Sequence, residues 1–227
     1  MTKNITVIIP SLDEEKNLDI LLSRMKRNKK LMGLTREILV LDGGSKDRTV
    51  NIAKKHDCRV IFAKGGKGVA IKKGVRSAKG SIVVLIDADL SNHEKEILLF
   101  AKKIDEGNDI VRGSRFIRGG GSEDFSWSHK QGNFLLLAIV NMLWRTDYTD
   151  LCYGYMAFKK AKFLTLDLQS EGFEIDTEIS IRSKKKNLKV AEIPSFEHKR
   201  RYGEGKLNAF RDGGRIIIRI VKEMFRR

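Results

Sequence analysis

Residues 82–90 read IVVLIDADL, in which five apolar residues run directly into two aspartates one position apart. A continuous apolar run rich in β-branched residues is typical of a strand that is buried on both faces. Three earlier runs share this character, ITVII (5–9), EILVL (37–41) and RVIF (59–62), and apolar residues at helical spacing follow three of the four runs. The alternation predicts an α/β fold with a mainly parallel central sheet and helices on both faces.

Composition indicates a globular chain with a strong positive charge. It has 227 residues, of which 41% are hydrophobic, and a formal net charge of +16. That charge requires an anionic partner, such as nucleic acid, a membrane surface or a phosphorylated substrate. With two cysteines and no recognisable export signal, the sequence favours a reducing cytoplasm. The longest apolar run, 134–144, is too short to cross a bilayer as a helix.

Polar residues follow three of the predicted strands at the points where the strands end. Because ligands bind at the carboxyl ends of strands in such a sheet, these residues are candidates for one common site. They are Pro10, Ser11, Asp13 and Glu14 after the first strand, Asp42 and Ser45 after the second, and Asp87, Ala88 and Asp89 after the fourth. Residues such as Asp13 and Ser45 are equally suited to capping the helices that follow them.

Asp87 and Asp89 need a further explanation, because two carboxylates so close together repel each other unless a cation lies beside them. A hard divalent cation, Mg²⁺ or Mn²⁺, is the simplest such partner, and substrate phosphate oxygens typically complete its coordination. A zinc site is not expected, because the four histidines and two cysteines form no cluster with zinc-ligand spacing.

A glycine- and lysine-rich segment, KGGKGVAIKKG (64–74), has neither the order of a P-loop nor that of a dinucleotide-binding turn. We expect flexible backbone that places Lys64 and Lys67 along a diphosphate. The alternative is a solvated basic turn without a ligand.

Eight segments, in chain order, resemble the motifs of the family 2 glycosyltransferases of GT-A fold. They are IIPSLDEEKNL, VLDGGSKDRT, GGKGVAIKKG, DADL, GSR, TDLCYGYMAF, GFEIDTEI and RRYGEGKL. They cover nearly the whole chain and are most similar to the branch that contains the dolichol-phosphate mannose and glucose synthases. The resemblance implies a single GT-A domain over 1–227, with a Rossmann-like nucleotide-sugar half (1–115), an acceptor half (116–206) and a basic amphipathic C-terminal helix (207–227).

The resemblance also assigns the strand ends to the sugar donor. The motif that contacts the nucleotide is matched by Pro10, Ser11, Asp13 and Glu14. Asp42 and Ser45 match the motif that holds base and ribose, with Gly43 in place of its second aspartate. Asp87, Ala88 and Asp89 match the D-x-D motif that binds the metal and, through it, the donor diphosphate. Ser91 stands where this branch often has a glutamine.

Matches in the second half imply contacts with the sugar and the acceptor. Residues with implied catalytic roles are Arg115, Asp150, Glu174 and Asp176, with Glu178 as a further candidate, and a phosphate-binding motif is matched by Arg200 and Lys206. Gly205 replaces the serine of that motif.

The implied activity is inverting transfer of a hexose from a UDP- or GDP-sugar to a polyprenyl phosphate, with Mg²⁺ or Mn²⁺. A lipid phosphate is already anionic and needs cations to hold it rather than a base to activate it. The basic run HKRRYGEGK (198–206), together with Arg115 and Arg118, fits such an acceptor. Transfer to a glycan or small-molecule hydroxyl, which would need a carboxylate base, is the alternative left open.

Two other classes fit the sequence less well. A nucleic-acid-binding protein would use the positive charge, yet only 7% of residues are aromatic and the acidic strand ends would repel a phosphate backbone. A nucleotidyltransferase would carry a glycine- and arginine-rich loop after the first strand, where this chain has PSLDEE.

The segment 207–227 has the pattern of a basic amphipathic helix. Its apolar side includes Leu207, Ile217, Val221 and Phe225, and its basic side includes Arg211, Arg215, Arg219 and Lys222. With the run 134–144 it would lie in an anionic leaflet, as a peripheral attachment at the inner face of the cell membrane. The alternative is that both apolar stripes pack on the sheet and the arginines face water.

Overall fold

The computed structural model describes residues 4–124, 127–206 and 208–226. Its strands are β1 Ile5–Ser11, β2 Thr35–Asp42, β3 Arg59–Phe62, β4 Ile82–Leu85, β5 Ile110–Ser114, β6 Gly121–Ser122, β7 Met156–Lys159, β8 Val190–Pro194 and β9 Phe196–Glu197. Its helices are α1 Glu15–Arg27, α2 Lys29–Leu34, α3 Thr49–Lys55, α4 Lys67–Ser77, α5 Ile97–Asp105, α6 Trp127–Trp144, α7 Lys160–Leu164, α8 Ile175–Lys185 and α9 Ala209–Phe225, with a 3₁₀ turn at Glu94–Glu96. All four strands predicted from apolar runs are present.

Within these ranges, the main sheet has the strand order β3-β2-β1-β4-β7-β5-β8. Strand β1 pairs in parallel with both β2 and β4, whereas β7 is antiparallel to its neighbours β4 and β5. The predicted mainly parallel sheet is therefore confirmed. Register places Ser11 opposite Asp42 and Ile8 opposite Leu85, so the chain segments that leave β1, β2 and β4 emerge side by side. The strand order reverses at β1, which is where ligands bind in open α/β sheets.

Two apolar cores cover the two faces of this sheet. Alternate residues of β1 point to opposite sides, with Val7 and Ile9 in one core and Ile8 in the other. Helices α1 and α5 pack into the first core, and α4 and α8 into the second. Burial on both faces explains why these strands read as continuous apolar runs.

Segment 64–74 departs from the sequence-based expectation, because most of it is helix α4 rather than flexible backbone. Its glycines permit close packing instead of motion. A Cβ at Gly68 would lie 2.5 Å from the carbonyl oxygen of Ser170, and one at Gly74 would lie 2.7 Å from Leu41 Cδ1. The expected flexible backbone and the alternative solvated turn are therefore wrong for 67–74, where Ile71 is fully buried, whereas residues 64–66 precede the helix and are exposed.

Helix α9 is oriented differently from the predicted stripe. Its buried apolar residues are Ile216 and Ile220, which pack with Leu137 and Val140 of α6. The predicted stripe is instead exposed at Ile217, Val221 and Phe225. The alternative in which this stripe packs on the sheet is thus wrong. Leu207, the first residue of the predicted helix, lies outside the described residues.

Helix α6 exposes apolar residues of its own at Phe134, Leu135, Met142 and Leu143. No helix in the described ranges combines the length and the apolar character that a membrane crossing requires.

Candidate active site

Asp87 and Asp89 directly follow strand β4, at the edge of the sheet where β1 and β2 also end. Asp89 accepts hydrogen bonds from the backbone N–H and the hydroxyl of Ser91, at 3.0 and 2.7 Å. Leu90, which lies between Asp89 and Ser91, is held in the left-handed region of backbone conformation, with φ of 68°. A non-glycine residue in this region costs free energy and must be imposed by its surroundings. The turn therefore holds the second aspartate in a defined position.

Two basic side chains contact these aspartates from different parts of the chain. Lys67 Nζ lies 3.2 Å from Asp87 Oδ1 and 3.8 Å from Asp176 Oδ2. Arg200 donates to Asp89 at 2.9 Å and to Glu14 at 2.7 Å. We call these six residues, Glu14, Lys67, Asp87, Asp89, Asp176 and Arg200, the edge cluster. It contains four carboxylates and two cations, so ionisation of all six leaves an excess of two negative charges.

Lys67 reaches the edge cluster because it begins helix α4. The preceding Gly66 has φ of 105°, a conformation that suits glycine, and it turns the chain into the helix. A Cβ at Gly154 would lie 2.5 Å from Lys67 Nζ, so the glycine of the TDLCYGY segment leaves space for the ammonium group. Burial alone lowers the pKa of Lys67, but the charges of Asp87 and Asp176 outweigh it and raise that pKa. Lys67 is therefore a fixed positive charge.

The carboxylates of the edge cluster lack full compensation. Burial, and next the charge of Asp87, raise the pKa of Asp89 above its ordinary value of 3.8. Burial likewise raises the pKa of Asp176, although Lys67 opposes the shift. Asp176 Oδ1 is buried and has no hydrogen-bond partner among the described residues. Each observation indicates that the cluster favours additional positive charge.

A divalent cation fits this donor set. Asp87 and Asp89 are hard oxygen donors, as Mg²⁺ and Mn²⁺ prefer, and the charge excess equals that of one such ion. No group of three or more histidine, cysteine, aspartate or glutamate side chains suited to a metal occurs in the described part of the chain. Asp87 and Asp89 would be protein ligands of such an ion, and water or substrate oxygens would complete its shell.

The loops after β1 and β2 are tied to each other through Asp13 and Ser45. The hydroxyl of Ser45 accepts from the backbone N–H of Asp13 at 3.0 Å, and Asp13 Oδ1 accepts from that of Lys46 at 2.7 Å. Asp42 accepts from the backbone N–H groups of Gly44 and Ser45, both at 3.1 Å. The capping alternative for Asp13 and Ser45 is therefore wrong. Pro10 and Ser11 end β1 beside these loops.

The segment that contains Arg200 folds back over the start of α1. The backbone N–H of His198 donates to Ser91 O at 2.8 Å, and Asn17 donates to Tyr202 O at 3.0 Å. Lys206 is exposed. Burial acts to raise the pKa of Asp47, but hydrogen bonds from Thr49 and Glu15, together with the charge of Lys206, outweigh it and lower that pKa. Through this segment Arg200 reaches Asp89 and Glu14, whereas Lys67 contacts the other two carboxylates of the edge cluster.

Arg115 and Asp150 form a separate buried ion pair. Arg115 donates through Nε and Nη2 to the two oxygens of Asp150, at 2.7 and 2.9 Å, and through Nη1 to Glu197 at 3.0 Å. Its guanidinium also lies 4.5 Å from the ring centroid of Tyr153. Asp150 is fully buried. Among the described residues no hydrogen bond or ion pair joins Arg115 or Asp150 to the edge cluster, although the charge of Arg115 opposes the rise in the pKa of Asp176. The catalytic roles predicted for Arg115 and Asp150 stay predictions.

Glu174 and Glu178 differ in their surroundings. Glu178 is fully buried and pairs with Arg182 at 2.6 Å and with Arg219 at 3.4 Å, while also accepting from the backbone N–H groups of residues 169 and 170. Glu174 Oε1 accepts from the backbone N–H groups of residues 171 and 172. Glu178 therefore joins α8 to α9, and Glu174 supports the loop before α8.

Sequence reasoning missed the pairing of Glu14 with Arg200 and the helical setting of Lys67. Glu14 and Arg200 are separated by 186 positions, and no local pattern links them. The spacing of buried residues in α4 was present in the sequence but was obscured by its glycines.

Comparisons with known proteins agree with this geometry. Residues 6–166 match the profile of glycosyl transferase family 2. A dolichol-phosphate mannosyltransferase of Pyrococcus furiosus is 31% identical over 230 residues, which cover 98% of this chain and 63% of that protein. The glycosyltransferase AglJ of Haloferax volcanii is 30% identical over 190 residues, which cover 82% of this chain and 62% of that protein. The chain thus spans less than two thirds of the length of either relative.

Solved structures of similar fold include glucosyl-3-phosphoglycerate synthase of Mycobacterium tuberculosis in complex with Mn²⁺, UDP and glucosyl-3-phosphoglycerate. It superposes with a TM-score of 0.76 at 19% identity, over 98% of this chain and 80% of that one. The same enzyme with Mg²⁺ and UDP gives a TM-score of 0.77, also at 19% identity, over 98% of this chain and 79% of that one. At this identity the likeness concerns the fold, which is the expected GT-A type.

Proposed function

The chain belongs to glycosyl transferase family 2, and from that premise we propose that it transfers a hexose from a nucleotide-diphosphate sugar to a polyprenyl phosphate. The edge cluster carries this proposal, because its excess of negative charge beside two fixed cations suits a donor that arrives with a divalent metal. The name of the Pyrococcus furiosus relative, dolichol-phosphate mannosyltransferase, supports a lipid phosphate as acceptor and a hexose as the transferred group. The UDP or GDP carrier is part of our proposal.

Donor binding would use the end of β2 and the loops that follow β1 and β2. Asp42 lies at the end of β2, and the bond between Ser45 and Asp13 holds the adjoining loops in place. Base and ribose would rest there, with the diphosphate directed towards Asp87 and Asp89. Lys67 and Arg200, already beside these aspartates, would turn towards diphosphate oxygens.

Transfer would follow as a single displacement at the anomeric carbon. Asp87 and Asp89 would hold Mg²⁺ or Mn²⁺, which when bound neutralises charge on the departing nucleoside diphosphate. Lys67 stays protonated because of its carboxylate neighbours, and so stabilises the same developing charge. The acceptor oxygen forms the new bond to carbon as the bond to the diphosphate oxygen breaks.

A polyprenyl phosphate acceptor requires approach from a membrane. Helices α6 and α9 both expose apolar residues, and α9 has Arg211, Arg215 and Lys222 exposed on an adjoining side. Such a helix suits peripheral contact with an anionic leaflet, which we place at the cytoplasmic face of the cell membrane. The basic segment 198–206 would then contribute to holding the lipid phosphate near the edge cluster.

A hydroxyl acceptor is the second candidate, and one observation favours it. Asp176 is buried beside Lys67, its pKa is raised, and its Oδ1 has no partner among the described residues. A carboxylate with a raised pKa is better matched to removing a proton from an attacking hydroxyl. A glycan or small-molecule alcohol could use this group, whereas a lipid phosphate would not need it.

Transfer of radiolabelled sugar tests the proposal. UDP-glucose and GDP-mannose would each be incubated with and without polyprenyl phosphate, in Mn²⁺ and in EDTA. We expect metal-dependent label in the lipid phase. Asp176→Asn distinguishes the acceptors, because it should abolish transfer to a hydroxyl and leave part of the transfer to a phosphate. Donor binding without any lipid product would overturn the phosphate acceptor.

A further inference from the structure

A cavity between α9 and the loop before α8 is distinct from the edge cluster. It has a volume of about 510 Å³, and its lining includes Glu171, Glu174, Arg215, Arg219 and Lys222. Arg215, Arg219 and Lys222 follow one another at four- and three-residue spacing, so they lie along one side of α9. The helix side of the cavity is therefore mainly basic, although Glu223 of the same helix also lines it, and the loop side carries Glu171 and Glu174.

Two buried polar atoms in this cavity have no partner within the described ranges. Glu174 is 8% exposed, and its Oε2 lacks a hydrogen-bond donor, while Arg219 Nε lacks an acceptor. Buried polar atoms are nearly always hydrogen-bonded in folded proteins. One orphan acceptor and one orphan donor indicate a ligand that carries both an acceptor and a donor.

Several charged side chains that line the cavity have few ion-pair partners among the described residues. In the part of the chain that the structure describes, Arg215 has one long ion pair, 4.0 Å to Asp212, and Lys222 and Glu171 have none. A Cβ placed at Gly172 would lie 2.6 Å from Glu174 Oε2 and 3.0 Å from Arg215 Nη1, yet these two groups form no ion pair with each other. These two groups therefore occupy the space beside the Cα of Gly172, and a side chain at this position would displace them.

We propose that this cavity binds a phosphate ester that also carries an ammonium or hydroxyl donor. Arg215, Arg219 and Lys222 would hold the phosphate, since guanidinium groups form strong charge-assisted bonds with phosphate oxygens. Glu174 Oε2 would accept from the donor group of the ligand.

The source of this ligand is a membrane phospholipid headgroup. Ile217, Val221 and Phe225 are exposed on the neighbouring side of α9, so a helix seated in a leaflet would bring headgroups to the cavity. This assignment of the source rests on the membrane contact in the proposed function. A free phosphate ester of the same chemistry is the competing source.

Vesicle binding tests the proposal without any sugar nucleotide, so failure of the transferase activity does not affect the result. Phosphatidylethanolamine and phosphatidylcholine headgroups have the same net charge, but only the first has a donor hydrogen on its nitrogen. We expect about fivefold tighter binding to vesicles that contain phosphatidylethanolamine than to pure phosphatidylcholine. Equal binding to both would overturn the proposed role of Glu174.

Matched variants locate the effect. Arg215→Gln and Gly172→Ala should each abolish the preference, the first by removing the charge and the second by displacing the Glu174 carboxylate and the Arg215 guanidinium. Arg211→Gln removes the same charge from the same helix outside the cavity, and should retain the preference. An equal loss in Arg211→Gln and Arg215→Gln would overturn the site in favour of diffuse charge attraction. Unfolding temperatures of all three variants confirm that each is folded.

Calorimetric titration with soluble phosphoethanolamine distinguishes the source. Weak binding that is lost in Arg215→Gln, together with the vesicle preference, supports a headgroup site. Soluble binding without vesicle preference would overturn the lipid source, and absence of both would overturn the site.

Discussion

Two clusters of charged side chains use the same residue types and differ in how completely their carboxylates are paired. The edge cluster has more carboxylates than cations and retains an unpaired buried oxygen on Asp176. The second cluster, which we call the helix network, joins α8 to α9 through Glu178, Arg182, Lys185, Arg219 and Glu223. Both of its carboxylates contact two or more cations.

Carboxylates of the two clusters have pKa shifts of opposite direction, upward for Asp89 and Asp176 and downward for Glu223. Burial raises the pKa of Asp89 and Asp176, because neighbouring cations do not offset it. Burial also acts to raise the pKa of Glu223, but hydrogen bonds from Arg182 and Lys185 outweigh it and lower that pKa. Carboxylates that contact several cations stabilise the fold, whereas undercompensated carboxylates leave a site that can take a cation.

Asp89→Asn should give the largest effect, a loss of sugar transfer without a loss of stability. The rate of sugar transfer is expected to fall by about 100- to 1,000-fold, because the site loses a carboxylate that would hold the metal beside the diphosphate. The unfolding temperature should stay the same or rise, since the charged form of Asp89 is disfavoured in the fold. Glu106→Gln, an exposed acid on the other side of the sheet, is the control for activity. A large loss of stability in Asp89→Asn would contradict the distinction between the clusters.

Glu223→Gln should have the converse effect. The free energy of unfolding at neutral pH is expected to fall by about 3 kcal/mol, because Arg182 and Lys185 lose a buried partner. Donor binding by the folded variant should be unchanged. Since the folded pKa is lowered, the cost is full above the ordinary value of 4.5 and shrinks as pH falls through the folded pKa. Denaturant unfolding over a pH series measures both quantities.

Arg200→Gln should give a smaller change in the edge cluster. Removing a cation 2.9 Å from Asp89 is expected to tighten Mn²⁺ binding without nucleotide by about fivefold, because the cation competes with the metal. Nucleotide affinity should fall in the same variant, since a diphosphate contact is lost. Mn²⁺ titration followed by electron paramagnetic resonance measures the first, with Arg201→Gln as control. Weaker Mn²⁺ binding would show that Arg200 supports the metal site instead.

The smallest expected effect is a gradual change with pH in the stability of Asp176→Asn relative to the parent chain. In metal-free protein, Asp176→Asn should gain stability relative to the parent chain as pH rises above the ordinary value of 3.8. The sign follows because a raised folded pKa contributes stability below the unfolded value, which is lost as pH rises through the folded pKa. Thermal unfolding in EDTA across a pH series checks this, and the opposite slope would contradict an undercompensated Asp176.

Much of the fold could be predicted because its strands are buried on both faces. Each such strand reads as an uninterrupted apolar run, and the acids after β4 stand out against it. Helix α4 could not be predicted in the same way, because Gly68 and Gly74 serve close packing against Ser170 and Leu41. Local propensity counts glycine against a helix, and only the tertiary contact reverses that.

The orientation of α9 was hidden for a related reason. Ile216 and Ile217 have the same apolar character, and the sequence offers no basis for choosing which one faces inward. In the folded chain Ile216 and Ile220 pack with α6, Glu223 pairs with Arg182 and Lys185 of α8, and Ile217 is exposed. Contacts with other elements therefore determine which apolar stripe of α9 is buried.

By itself the sequence determined the α/β architecture, the position of the paired aspartates after β4 and the motifs that resemble one enzyme family. Those features are local, because strand burial and motif spacing are written in consecutive residues. Only the tertiary structure decided that Lys67 and Arg200 flank the aspartates, that Asp150 is paired with Arg115, and that Glu174 lines a cavity against α9. Electrostatic pairing acts through space, so the partner of a charge depends on how distant segments pack and not on their order along the chain.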